Sequence, residues 1–275
     1  MNPLGVCSWS LQPASPADLA ASVRAVGVNR VQLALDPIRT GAWSLDATRR
    51  ALTNAGITVA SGMMAPASED YSTIAAIQRT GGLRPDETWE ANRKAAAENA
   101  RIAGELGLRL VTLHGGLIDQ RDGGTLARRT CEVADAFAQV GASIALETGM
   151  DDPAELRRFI ETLGRADVGL NFDPANILLY GVGEPMAALD LLLPLVRQVH
   201  IKDATPSASP GEWGTETPVG SGAVPWPRFI AVVARRLPAC DLMIEREGGD
   251  VRIADARIAR DLVSSLLDST KGAKS

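Results

Sequence analysis

Eight short apolar runs, each followed by a segment of helical pattern, divide almost the whole chain into a strand–helix repeat. The strand candidates are Leu4–Trp9, Arg30–Leu35, Ile57–Met63, Arg109–His114, Ser143–Glu147, Val168–Asp173, Gln198–Lys202 and Leu242–Arg246. They lack strict alternation of apolar and polar residues, as expected of parallel strands covered on both faces. Capping chemistry bounds the helices. Ser15-Pro16 opens the first and Gly27 closes it, Ser44–Ala55 stops at Gly56, and Asp86–Leu106, with Asp86 as its cap, stops at Gly107. Thr125–Val140 ends at Gly141, and the helix opened by Asp152-Pro153 runs to Leu163 before Gly164. Glu184–Leu193, Pro225–Leu237 and Ile253–Leu267 complete the set. This α/β alternation predicts a single (β/α)8 TIM barrel; a doubly wound sheet is disfavoured because no GxGxxG follows the first strand.

The barrel is expected to fill residues 1–268 as one domain, with 269–275 a flexible tail. Two connections exceed ordinary loop length. Ala65–Pro85 has room for a short helix around Tyr71–Thr80, and Asp203–Val224 is rich in Pro, Gly, Ser and Thr; such segments usually carry function. The 28 Lys+Arg against 33 Asp+Glu leave a net charge of −5, which gives no reason to expect nucleic acid or an anionic membrane as partner. No apolar run is long enough to span a bilayer, and the N-terminal MNPLGVCSWSLQPAS lacks the pattern of a secretory signal. Cys7, Cys131 and Cys240 are scattered and odd in number, so they read as reduced thiols of a cytoplasmic protein.

A barrel of this type carries its site at the C-terminal ends of its strands. There the sequence places His114, Glu147, Asp173, His200 and Glu245, at separations of 33, 26, 27 and 45 residues. Three intervals are about one βα repeat, and the fourth is one repeat plus the long loop. Glu147, Asp173, His200 and Glu245 supply three carboxylates and one imidazole, a donor set suited to Mn2+ first, with Mg2+, Co2+ or Zn2+ as alternatives. Each also has an ordinary reading: a solvated strand end for Glu147, a cap on the turn through Pro174 for Asp173, a core imidazole for His200, a pair with Arg246 for Glu245. His114 reads as a substrate contact, a supporting group or the ligand of a second metal.

The segments LETG, GLNFDPANI, VHIKDA, WGTETPVGSGAVPW and IEREGG resemble the sugar phosphate isomerase/epimerase group of xylose isomerase-like barrels. That superfamily also holds ketose 3-epimerases, hydroxypyruvate isomerase, inosose dehydratase and endonuclease IV. The resemblance runs from about Leu4 to Leu267 and is most specific from Glu147 onward. It implies metal binding by Glu147, Asp173, His200 and Glu245, with Glu147 and Glu245 also the catalytic acid/base pair. His114 falls where several members keep a histidine. Two positions depart from the epimerase pattern: Asn176 stands where a histidine is common, among the substrate-binding candidates, and Gly220-Ser221-Gly222 replaces a GEG loop. A three-zinc DNA-repair centre needs about five histidines, and the chain has two.

The implied activity is isomerisation or epimerisation of a ketose or keto-sugar derivative through a metal-stabilised enediolate. A keto-sugar or inosose dehydratase on the same site stays open, as does a barrel that binds sugar without turnover. Lys202 shares the strand face of His200 and is a substrate-binding candidate, its alternative being an ion pair with Asp203. Trp9 is expected to wall the site and the loop bearing Trp213 and Glu216 to close over substrate, with Glu216 touching it. Arg246 is expected to point away from the lumen. The partner is a small-molecule sugar, and a homo-oligomer is compatible with the family.

Overall fold

The computed structural model describes residues 2–119, 121 and 124–272. Eight parallel strands close into a barrel: β1 (Leu4–Cys7), β2 (Arg30–Ala34), β3 (Thr58–Met63), β4 (Leu110–Leu113), β5 (Ser143–Glu147), β6 (Val168–Phe172), β7 (Val196–Ile201) and β10 (Asp241–Ile244). β10 pairs with both β7 and β1, which seals the ring. The intervening β8 (Asp203–Thr205) and β9 (Thr215–Thr217) form a separate antiparallel hairpin.

The outer helices are α1 (Pro16–Val26), α3 (Leu45–Asn54), α5 (Asp86–Leu106), α6 (Thr125–Ala138), α7 (Pro153–Leu163), α9 (Pro185–Leu192), α10 (Trp226–Arg236) and α11 (Arg252–Gly272). Three shorter ones, α2 (Asp36–Arg39), α4 (Ile74–Thr80) and α8 (Pro174–Leu179), sit in βα connections. Ser15, Ser44, Asp152 and Glu184 cap α1, α3, α7 and α9 through their side chains. Gly27, Gly107 and Gly164 close α1, α5 and α7 at positive φ, a conformation that costs glycine least.

Three expectations are corrected. Asp86 does not cap α5: Pro85 holds the cap position, and the Asp86 carboxylate pairs with Arg129. β1 stops at Cys7 because Ser8 leaves the strand for a turn over Trp9–Leu11, its hydroxyl accepting from Ala34 N–H. The loop after β7 is not structureless but holds the β8–β9 hairpin. The last helix, α11, continues to Gly272. Among the described residues no helix is long and apolar enough to cross a membrane.

Outward strand residues such as Val31, Leu33, Ile144 and Leu170 are buried under the helices. The lumen below the site is polar instead. Gln32 donates to Thr112 Oγ1 (2.7 Å), Ser61 to Gln198 Oε1 (2.6 Å) and Gln198 to Asn171 Oδ1 (3.2 Å), so these buried groups satisfy one another across the barrel.

Candidate metal centre

Strand alternation aims residues at i and i+2 at the same face, so Gln198, His200 and Lys202 rise along one lumen-facing line of β7 and its extension. Neighbouring strands bring Glu147, Asp173 and Glu245 to the same level. One ligand atom from each of Glu147, Asp173, His200 and Glu245 lies within 4.8 Å of the others. His200 Nδ1 stands 3.0 Å from Glu245 Oε2, 3.6 Å from Glu147 Oε2 and 3.8 Å from Asp173 Oδ2. Ligands about 2.1 Å from a common ion stand roughly 3–4 Å apart, so the set has the dimensions of one coordination sphere.

Asp173 Oδ2, His200 Nδ1 and Glu245 Oε2 are each buried without a hydrogen-bond partner. Buried polar atoms are normally satisfied, and three that converge are a group suited to a shared cation. The remaining atoms of these side chains are held. Asp173 Oδ1 caps α8, accepting from Ala175 and Asn176 N–H at 2.7 and 3.1 Å, so the capping reading and the ligand reading use different oxygens of one carboxylate. Glu147 accepts from Asn176 Nδ2 (2.9 Å) and Asn171 Nδ2 (3.1 Å), and Glu245 Oε1 from Trp9 Nε1 (2.7 Å). His200 Nε2 lies 2.9 Å from Gln32 Oε1 and 3.0 Å from Asn171 Nδ2, which fixes the ring with Nδ1 facing the carboxylates.

Charge follows this geometry. Burial disfavours an imidazolium, but the carboxylates of Glu245 and Glu147 outweigh it and hold the His200 pKa well above the usual histidine range. Burial would raise Glu245, yet His200 and Lys202 keep it well below the carboxylate range. Asp173, the most enclosed of the acids, is pushed up to about 6 by burial. Cys7, 3.7 Å from His200 Nε2, is pushed up to about 12 by burial and so stays a thiol.

Lys202 does not pair with Asp203. Its Nζ binds Glu247 Oε2 and stands 3.2 Å from Glu245 Oε2. Asp203, on the opposite face, instead gathers the backbone of the following loop. His114 Nδ1 lies 2.8 Å from Glu69 Oε2 and 2.9 Å from the Tyr71 hydroxyl, leaving Nε2 4.0 Å from Glu147 Oε2. Burial opposes charge on His114, but Glu69 prevails and raises its pKa to about 10. Glu69, Tyr71 and Glu247 were not foreseen as members of this constellation.

Glu216 is the one candidate the structure sets apart from the site. Its carboxylate accepts from Arg246 Nη1 and from the backbone N–H of Glu247 and Gly248, all at 2.9 Å, and it does not line the cavity. Trp213 packs against Tyr180 at 4.7 Å between ring centroids. The loop is therefore fastened down, and Glu216 is its clasp. Arg246 faces away from the lumen, as expected, and is shared by Glu216 and Asp255. The cavity itself measures about 580 Å³ and is lined by Trp9, His114, Glu147, Asn176, Lys202 and Glu245 together with Glu69, Tyr71, Glu247 and a largely apolar wall.

Among proteins of known structure and family, the chain has clear relatives. The xylose isomerase-like TIM barrel family matches residues 12–267. A xylose isomerase domain protein from Planctomyces limnophilus is 30% identical, with a TM-score of 0.87 over 92% of this chain and 93% of that one. A xylose isomerase-like TIM barrel protein from Mycobacterium smegmatis in complex with magnesium (18% identity, TM-score 0.77, 98% of each chain) shares the fold. So does an L-ribulose 3-epimerase (17% identity, TM-score 0.72, 100% of this chain and 97% of that one). No curated protein matches the chain in sequence.

Proposed function

The chain belongs to the xylose isomerase-like TIM barrel family, and from that premise we propose that it is a divalent-metal-dependent isomerase or epimerase of a ketose or keto-sugar derivative. The observation that carries the reading is the convergence of three buried atoms without hydrogen-bond partners, Asp173 Oδ2, His200 Nδ1 and Glu245 Oε2, beside Glu147. A mainly oxygen donor set favours Mn2+ or Mg2+ over softer ions, and the magnesium complex of the M. smegmatis relative agrees with that choice. When bound, such an ion supplies Lewis-acid stabilisation of negative charge developing on substrate oxygens.

The protein's own groups do the rest. Glu147, oriented by two amide donors, takes the proton next to the substrate carbonyl, and Glu245, oriented by Trp9, passes to the substrate from another strand of the ring a proton supplied by the Lys202 ammonium 3.2 Å away. Lys202 holds a substrate oxygen from the rim, and His114, fixed by Glu69 and Tyr71, presents Nε2 to a substrate hydroxyl. Asn176 steadies Glu147 more than it reaches outward. A dehydratase is the second reading, because the Lys202 ammonium 3.2 Å from Glu245 is able to protonate a leaving hydroxyl. The three free thiols fit a reducing cytoplasm, and the net charge of −5 speaks against nucleic acid as a partner.

Proton exchange in heavy water, followed by NMR on a panel of ketoses with Mn2+ present, tests the proposal. Exchange at the carbon beside the carbonyl, lost in Glu147→Gln, is expected. No exchange with any ketose or inosose, with the metal shown to be bound, overturns both catalytic readings.

A further inference from the structure

The two sides of the cavity differ in chemistry. Trp9, Lys202, Glu245 and Glu247 come from the β1, β7 and β10 side and are all polar or charged at their tips. Across from them, the loops after β4 and β5, the first turn of α6 and the first two turns of α7 present Ile118, Leu126, Met150, Leu156 and Phe159. This wall adjoins Glu147 and His114, so it continues the metal centre instead of forming a separate pocket. A volume of about 580 Å³ falls within the range of sites that enclose drug-sized ligands, and a single sugar ring leaves part of it to other groups.

The same cavity is poorly equipped for a phosphate. Phosphate groups are held by free cations or open helix N-termini. Among the described residues lining the cavity, the cationic side chains are Lys202 and His114, and both are engaged by carboxylates, Lys202 by Glu245 and Glu247 and His114 by Glu69. Of the helix N-termini at the cavity, those of α7 and α8 are filled by Asp152 and Asp173, whose Oδ1 atoms accept from backbone N–H groups, while α6 opens on Gly124. Asp151, set into the apolar wall and accepting from Ile118 N–H at 2.7 Å, adds negative charge there.

We propose that the substrate is an uncharged keto-sugar derivative bearing an apolar substituent, with its sugar half at the metal centre and its apolar half against Ile118, Leu156 and Phe159. The inference rests on the metal-centred reading for the position of the sugar half. Apolar contact over this wall is the source of selectivity, since each buried apolar group adds affinity in proportion to the area it removes from water.

The test is calorimetry on the full chain loaded with Mn2+, using methyl and phenyl β-D-glucopyranoside as non-reacting probes and D-fructose against D-fructose 6-phosphate. The phenyl glucoside is expected to bind about tenfold or more tightly than the methyl glucoside, and the 6-phosphate more weakly than the free ketose. Phe159→Ser should bring the two glucosides to within about twofold of each other, while Phe159→Leu, which keeps the apolar surface and guards against a folding defect, should retain most of the preference. Equal binding of the two glucosides, binding of neither, or tighter binding of the 6-phosphate overturns the proposal. Repeating the glucoside titrations after chelation separates this inference from its premise. Absent Mn2+ binding with the phenyl preference intact defeats the metal reading alone; Mn2+ binding and ketose exchange without that preference defeat this one alone.

Discussion

Lys202 Nζ stands 3.2 Å from Glu245 Oε2, so a buried ammonium faces the same carboxylate oxygen as the imidazole of His200. A metal ion at that oxygen meets a like charge across a short, poorly solvated gap. Lys202→Met removes the repulsion and keeps the aliphatic bulk. It should bind Mn2+ about tenfold more tightly by calorimetry while losing most of any turnover, because the cation proposed to hold a substrate oxygen is gone. Weaker Mn2+ binding in this variant would show that the lysine organises the carboxylates instead of competing with the ion.

Metal binding should expel protons. His200 holds its proton well above the normal histidine range, and Asp173 titrates at about 6, whereas a cation needs the Nδ1 lone pair and a full carboxylate. Affinity therefore rises with pH and drops steeply below about 6, where Asp173 becomes protonated. Calorimetry at pH 7 in buffers of different ionisation heat should report close to one proton released per ion. Heats that do not depend on the buffer would rule out this charge assignment.

The two oxygens of Asp173 allow its roles to be separated. Asp173→Asn preserves an acceptor for the α8 N–H groups but removes the charge at the unpartnered oxygen, so it should keep nearly the wild-type melting temperature and lose metal affinity by an order of magnitude or more. Asp173→Ala gives up the cap as well and should melt earlier by the equivalent of about 1 kcal/mol. Equal melting temperatures for the two variants would mean that the cap contributes nothing.

The cluster of Glu147, Asp173, His200 and Glu245 was legible because each member ends a strand, and the βα repeat puts strand ends at one level whatever the loops do. Strand alternation makes the partners of Lys202 legible too. Residues 202 and 203 point to opposite faces, which excludes an ion pair between them, whereas Glu247 lies two residues past Glu245 on the same side. Glu69 and Tyr71 sit in a long connection without periodicity, and only the closed fold brings Glu69 to His114, 45 residues away. Glu216 shows the limit in the other direction. A carboxylate in a polar loop beside a site looks like a lid group, and nothing in the sequence signals that two backbone N–H groups and Arg246 converge on it.

The Glu69–His114 pair makes stability depend on pH in a defined window. His114 is raised from 6.5 to about 10 on folding, so its contribution is complete below pH 6.5 and fades as pH climbs toward 10. Glu69 is lowered from 4.5, its burial outweighed by His114, so its contribution is present above pH 4.5 and lost in acid. The melting-temperature gap between wild type and Glu69→Gln should be widest between pH 4.5 and 6.5 and narrow steadily toward pH 10. Since the His114 side chain is 29% exposed, solvent screening holds the effect to about 1 kcal/mol, or a few degrees. A gap that widens above pH 7 would reverse the sign and refute the pairing.

Asp203 determines whether the long loop after β7 is a lid or a fixed wall. Its carboxylate accepts from the N–H groups of Ala204, Gly220, Gly222 and Val224 and from Trp226 Nε1, at 2.8 to 3.1 Å. The loop comes so close that a Cβ on Gly222 would lie 2.1 Å from Asp203 Oδ1, which is why a glycine stands there. Asp203→Asn replaces an acceptor oxygen with a donor facing other donors, leaving buried N–H groups unpaired at about 1–3 kcal/mol each. Gly222→Ala pushes the same contact apart by bulk. Both variants should melt well below wild type, and limited proteolysis should then cut within 206–222, because the hairpin that holds Glu216 against Glu247 and Gly248 has lost its anchor. Proteolysis is the deciding measurement: a variant that melts early but resists cutting there would show that the loop is held by the Glu216 clasp alone.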